Sequence, residues 1–144
     1  MTDLENNVLN RLFTEMDESL RKLRSLSKLS KDEFLDHYEK IDTAKYNFIV
    51  AIEAVIDICN RIISKQKLGL PQDYSDVVKL MSKKGIVGGD LVGRLIEMVK
   101  FRNMLVHLYW KIENERLYQY LKENLEDFEV FREAIRKYLK QSSS

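Results

Sequence analysis

The stretch AKYNFIVAIEAVIDICNRIIS, residues 44–64, decides the architecture. Wound as a helix at ~100° per residue, it is apolar almost all round. Its polar residues Glu53, Asp57, Arg61 and Ser64 share one narrow strip. A helix that must be buried on nearly every side stands in the middle of other helices, so the stretch predicts the centre of a bundle.

The flanking sequence supplies the partners. Leu4, Val8, Leu12, Met16, Leu20 and Leu23 recur at three- and four-residue steps and predict a first helix from about Asp3 to Leu26. Ser30 and Glu33 have capping-box spacing, so a second helix starts there. It carries Phe34, Tyr38 and Ile41, then continues, or restarts after Asp42, through Ile63. Leu68-Gly69-Leu70-Pro71 is a break around the single proline. A short helix over about Ser75 to Lys83 follows, with Gly85 as its C-terminal cap. Gly88-Gly89-Asp90 leads into a helix over Leu91 to Tyr109. A last helix is expected over about Asn114 to Leu139, with Leu117, Leu121, Leu125, Phe128, Phe131, Ile135 and Tyr138 buried. No β-type alternation of useful length occurs. The expected fold is all-α: an antiparallel up-and-down bundle of four longer helices and one short one, residues 1–144 forming a single domain with a frayed tail from about residue 140.

Composition narrows the function. Of 144 residues, 44% are hydrophobic and 33% charged, which fits a folded soluble chain. The net charge of +1 gives no global basic field, so anion recognition has to come from a local patch. The single cysteine, Cys59, sits in an apolar run; it excludes an intrachain disulfide and reads as a small buried hydrophobe. No uncharged apolar stretch is long enough for a membrane span, and residues 1–6 lack a signal-peptide pattern, so a cytoplasmic protein with no membrane partner is expected. His37 and His107 are the only histidines, and no closely spaced ligand set, P-loop or dinucleotide fingerprint is present. Neither a metal nor a cofactor is expected.

The helix over Leu91–Tyr109 breaks its own pattern. Leu91, Val92, Leu95, Val99 and Val106 define a stripe meant for the core. Arg102 falls at the centre of that stripe, Asn103 and His107 lie at its edge, and Tyr109 returns to nearly the direction of Arg102. An unpaired buried charge is expensive, so this face is expected to open onto a cleft, a second subunit or a bound anion.

Residues 102–109, RNMLVHLY, resemble the R-x-x-x-x-H-x-Y signature of HepT-like proteins, a branch of the HEPN domains. The resemblance extends to the run Ala51–Ile58 with its Ile56-Asp57-Ile58, to Leu68-Gly69-Leu70-Pro71 with Tyr74, to Phe101-Arg102-Asn103 and to the final helix with Tyr118. It covers roughly residues 40–140; the first 40 match only as a generic helix pair. One departure is Ile112-Glu113-Asn114, where the family often has an aspartate, and this leaves the start of the last helix open.

The resemblance implies the toxin of a type VII-like toxin–antitoxin system, a metal-independent endoribonuclease. It implies a homodimer through the motif helices, with a cognate minimal nucleotidyltransferase antitoxin as partner and RNA as substrate. Arg102 and His107 carry over as catalytic, Asn103 as the supporting polar residue, and Tyr109 as the position that the antitoxin modifies with AMP to silence the toxin.

The residue types suit that chemistry. Metal-free RNA cleavage uses the 2′-hydroxyl as nucleophile, so a proton must leave it, another must reach the 5′-oxygen, and charge on phosphorus must be held. Histidine, with an ordinary pKa near ~6.5, suits the proton work; arginine's permanently charged fork suits the phosphate. One histidine cannot easily be acid and base together, and a two-fold dimer supplies a second. Asn103 is placed to orient His107 or to bind the phosphate, and Asp57 to hold Arg102 in place as a supporting residue.

Blander readings stand beside these. Arg102 would tie the bundle together through Asp57 or Glu53. His107 would be a core or interface histidine, His37 a surface one, Tyr109 a core-edge aromatic and Trp110 an interface or core anchor. Lys100 and Lys111 would be ordinary solvated lysines. Two other functions remain open: a non-catalytic helical subunit that binds a nucleotide or a nucleotidyltransferase, and a plain oligomerisation domain.

Overall fold

The computed structural model describes residues 3–142, and among them there are helices and no strand. The order is α1 (Asp3–Ser27), α2 (Lys31–Leu35), α3 (Tyr38–Gln66), α4 (Tyr74–Lys83), α5 (Asp90–His107), a 3-10 turn (Tyr109–Lys111), α6 (Asn114–Glu123) and α7 (Glu126–Ser142). The central helix is the expected one: α3 packs against α1, α2, α4, α5 and α6. Its buried residues run nearly all round, including Ala44, Phe48, Ala51, Ile52, Val55, Ile58, Ile62 and Ile63. Cys59 is buried among them, and burial pushes its thiol up to about 12.

The bundle is more segmented than expected. The Ser30 capping box forms, but α2 stops after Leu35. His37 takes an extended backbone (φ −127°, ψ 102°), and its Nδ1 lies 2.8 Å from the Glu33 carbonyl oxygen, which the next helical turn would otherwise use. α3 therefore restarts at Tyr38, not after Asp42.

The last helix is also split. Asn124 ends α6, and its Nδ2 donates to Asp127 Oδ2 (3.4 Å), a bond between side chains on either side of the break. The bend sets Asp127, 6% exposed, against Arg94 of α5 at 3.2 Å. At its far end α7 runs to Ser142, so 140–142 are helical; Ser143 and Ser144, the rest of the expected frayed tail, lie outside the described residues.

Gly85 caps α4 as expected. At φ +73° it lets its own N–H reach the Ser82 carbonyl (2.9 Å) and the Ile86 N–H reach that of Met81 (3.0 Å). This is the paired bonding that only a left-handed residue allows.

The motif helix is anchored by aromatic rings. Phe101 of α5 stacks on Tyr120 of α6 (centroids 3.9 Å apart), and both meet the edge of Phe48 from α3. Leu91, Leu95, Met98, Val99 and Leu105 complete its buried face, while Val106, expected in the core, is 41% exposed. No helix among the described residues is long and apolar enough to cross a membrane.

Candidate active site

α3 and α5 run antiparallel, because Arg102 meets Glu53 while Tyr109, further along the chain, meets Asp42 and Lys45. Two small clusters result, one around each of Arg102 and Tyr109.

Arg102 points inward as its place in the pattern demands, and its side chain is only 13% exposed. Its charge is met. Nε and Nη2 donate to Glu53 Oε1 at 3.3 and 2.9 Å, and Nη1 donates to Asn103 Oδ1 at 3.1 Å. The guanidinium lies over the Tyr74 ring at 4.7 Å, a cation–π contact from the first residue of α4. Three of its five N–H donors are engaged, which leaves two for an anion. A planar cation held on one edge by a carboxylate and on one face by a ring is pre-aimed rather than free to sweep.

Glu53, not Asp57, holds the guanidinium. Asp57 stands exposed one turn on and makes no hydrogen bond to Arg102. Partial burial raises the Asp57 pKa, Glu53 and Glu15 add to the rise, and Arg102 opposes it. Asn103 likewise serves Arg102 and is not bonded to His107.

His107 is the last residue of α5 and is exposed. Five residues at ~100° each turn it about 140° from Arg102, so on one subunit the two side chains diverge. Around it Val106 (41%), Leu108 (41%) and Trp110 (75%) are also exposed, an apolar collar on the motif end of the molecule. Trp110 is thus no core anchor of this chain. Lys100 is exposed and pairs with Glu97 (3.6 Å), and Lys111 is exposed too.

Tyr109 departs from expectation. α5 ends at His107, so Tyr109 lies in the 3-10 turn and does not return to the Arg102 direction. Its hydroxyl donates to Asp42 Oδ1 (3.1 Å) and its carbonyl accepts from Lys45 Nζ (3.0 Å); the same ammonium lies 4.4 Å from the ring centre. Partial burial raises the phenol pKa first, and the bond to Asp42 and its charge raise it further. The reading that all four polar side chains interrupt one face is therefore not met: Arg102 faces α3 with Asn103 bonded to it, His107 faces solvent, and Tyr109 folds back on the start of α3.

Glu53, Tyr74, Asp42 and Lys45 complete these clusters; of them only Glu53 was named from the sequence, as one of two structural partners for Arg102, and none as a site residue. Lys45 left a signal, a lysine at a position flanked by the apolar Ile41, Ala44 and Phe48; Asp42 left none. Among the described residues no three His, Cys, Asp or Glu side chains gather as a metal-ligand set.

Similarities to known proteins follow the same lines. The mRNA nuclease HepT of Shewanella oneidensis is 32% identical over 104 residues, 72% of this chain and 78% of that one. The tRNA nuclease HepT of Aphanizomenon flos-aquae is 23% identical over 139 residues, 96% of this chain and 95% of that one. Among solved structures, the tri-AMPylated HEPN toxin of Shewanella oneidensis in complex with its MNT antitoxin superposes with a TM-score of 0.82 at 26% identity, over 95% of this chain and 99% of that one. A cytosolic protein of unknown function, YutE from Bacillus subtilis, shares the fold at 18% identity with a TM-score of 0.80, over 95% of this chain and 92% of that one. Residues 16–135 match the family described as ribonuclease HepT-like, and the chain belongs to that family.

Proposed function

We propose that this chain is the toxin of a toxin–antitoxin pair and an endoribonuclease that cuts RNA by attack of the 2′-hydroxyl, without a metal. His107 moves the protons and Arg102 holds the charge that builds on phosphorus. The observation that carries this reading is an open imidazole at the end of the helix whose guanidinium is already aimed, with two N–H donors left over. The nuclease relatives support it.

The working form is a homodimer. His107 and Arg102 diverge on one subunit, and the Val106–Leu108–Trp110 collar gives a second copy an apolar surface to cover. A two-fold axis beside this collar places two imidazoles and two guanidiniums round one groove. That converts a chain of net charge +1 into a locally cationic cleft.

Tyr109 is the AMP acceptor, modified by a nucleotidyltransferase antitoxin of the MNT kind. The AMPylated toxin of the Shewanella complex supports this. Tyr109 follows His107 by two residues, within about 7 Å along the chain. A nucleotide attached there covers the imidazole and puts phosphate charge where RNA would lie. The reading places the pair in the cytoplasm, where RNA is available as substrate.

The test is digestion of labelled RNA by the purified chain in EDTA. Wild type cleaves, and His107→Ala loses at least ~10²-fold in rate. Its melting temperature stays unchanged, because the exposed ring holds nothing together. Full activity in His107→Ala removes the assignment, and loss of wild-type activity in EDTA removes metal independence.

A further inference from the structure

Lys45 is 6% exposed, on the third turn of α3, where Ile41, Ala44 and Phe48 of the same helix are buried with it. A buried ammonium is costly, and it is normally found where it is paired with a carboxylate. Here it is spent on one residue, Tyr109, which it grips at the carbonyl oxygen (3.0 Å) and over the ring (4.4 Å). The third attachment is the hydroxyl, which donates to Asp42 Oδ1 at 3.1 Å. Asp42 itself is exposed. Backbone, ring and hydroxyl are thus each fixed by the first turns of α3, and the fixed oxygen sits at the solvent edge against a carboxylate that can take a proton.

We infer that Asp42 and Lys45 are the chain's own part of the AMP-transfer site: Lys45 positions Tyr109, and Asp42 is the base that receives its proton. This rests on the reading of Tyr109 as the AMP acceptor. The Tyr109 oxygen attacks the α-phosphorus of ATP. The new O–P bond forms as the bond from that phosphorus to the bridging oxygen of pyrophosphate breaks. The phenolic proton passes along the existing hydrogen bond to Asp42 Oδ1, and pyrophosphate leaves with the bond pair. A neutral phenol is a weak nucleophile, so a base already in contact with its hydroxyl is what the step requires. The antitoxin brings the nucleotide; the toxin brings an acceptor whose hydroxyl is already hydrogen-bonded to a carboxylate base.

After transfer the aryl oxygen carries no proton, so its bond to Asp42 cannot re-form. A phosphodiester charge then stands beside a carboxylate. The product is driven off the Asp42 seat while Lys45 still holds the backbone, which turns the nucleotide outward over the motif end of α5.

The experiment incubates the full chain with the MNT antitoxin and ATP radiolabelled at the α-phosphate, and measures the initial rate of labelling against toxin concentration. Asp42→Asn keeps a hydrogen-bond acceptor but cannot take the proton. It is expected to lower kcat by roughly 10²-fold with KM for the toxin unchanged, and Asp42→Glu to restore part of that loss. Lys45→Met, which keeps the apolar stem, is expected to raise KM and lower kcat together, with Lys45→Arg recovering function. Thermal melts check that each variant folds; the exposed Asp42 carries the test if the buried site does not tolerate methionine.

Tyr109→Phe separates the two levels. If it is silent while Asp42→Asn transfers at the wild-type kcat, the base assignment is overturned and the acceptor assignment stands. If it labels as well as wild type, or if wild type takes no label, the acceptor reading fails and this inference falls with it. A Lys45→Met protein that folds and transfers with wild-type KM and kcat overturns the positioning role.

Discussion

Replacing Glu53 with glutamine tests whether the Arg102 cluster is an aiming device. The substitution keeps shape and one carbonyl acceptor but removes the charge that Nε and Nη2 share on a single oxygen, at 3.3 and 2.9 Å. The guanidinium stays charged and its bonds to the glutamine oxygen stay charge-assisted; what is lost is the attraction of the ion pair, ~0.2–1 kcal/mol for a pair open to solvent and more for a shielded one. The two contacts end on one oxygen, so they count once. The Glu53 side chain is 43% exposed, which screens the pair and brings the difference to about 1 kcal/mol. In a chain of this size that lowers Tm by about 3 °C. If the same orientation free energy is expressed in the transition state, kcat for RNA falls about 5-fold. KM stays level or falls, since one negative charge beside the groove is gone. Scanning calorimetry and a fluorescent-RNA cleavage assay read the two numbers. Unchanged Tm and kcat would refute the argument. A faster Glu53→Gln enzyme would refute it more sharply, since Glu53 would then be competing with phosphate for the guanidinium.

Trp110→Ala should leave the monomer's fold intact, because the indole is 75% exposed, yet weaken self-association by ~2 kcal/mol or about 30-fold in Kd; sedimentation velocity that shows an unchanged dimer would move the interface elsewhere. Asp127→Ala strips the 6%-exposed carboxylate from Arg94 and Asn124 and should cost about 1–3 kcal/mol in denaturant melts, with Arg94→Ala costing less because the arginine is half in solvent. Tyr120, pushed up to about 12 chiefly by burial, keeps its proton in the fold after the unfolded chain has lost its own near 10. Its contribution to stability is therefore complete below pH 10 and is lost as pH rises toward 12, and Tyr120→Phe should flatten that part of the alkaline melting profile.

Most of the fold was legible because helical periodicity is a local property. The apolar run of α3, the Ser30 capping box, the Gly85 cap and the break at Leu68–Pro71 each depend on a few neighbouring residues, and each is where the sequence puts it. The two differences are at His37, where the ring bonds to the backbone carbonyl of Glu33, and at Asn124, where the chain bends and the side chains of Asn124 and Asp127 bond across the break; periodicity alone would continue both helices. Val106 shows the limit of a wheel: its angle assigns it to the core, yet it is 41% exposed while Leu105 beside it is fully buried.

The site divides along the same line. That Arg102 and His107 are out of place in an amphipathic helix, and that their spacing with Tyr109 matches a ribonuclease family, could be read from eight consecutive letters. Which carboxylate holds Arg102, Glu53 or Asp57, could not: both lie on the polar strip of α3, and only the register of α5 against α3 puts the first under the guanidinium. Nor could the partners of Tyr109, since residues 42 and 45 meet 109 only through an antiparallel pairing that closes over more than 60 positions of chain. Periodicity and motif spacing travel with the local sequence; distances between side chains on different helices are set by how whole helices pack, and that is a property of the assembled bundle.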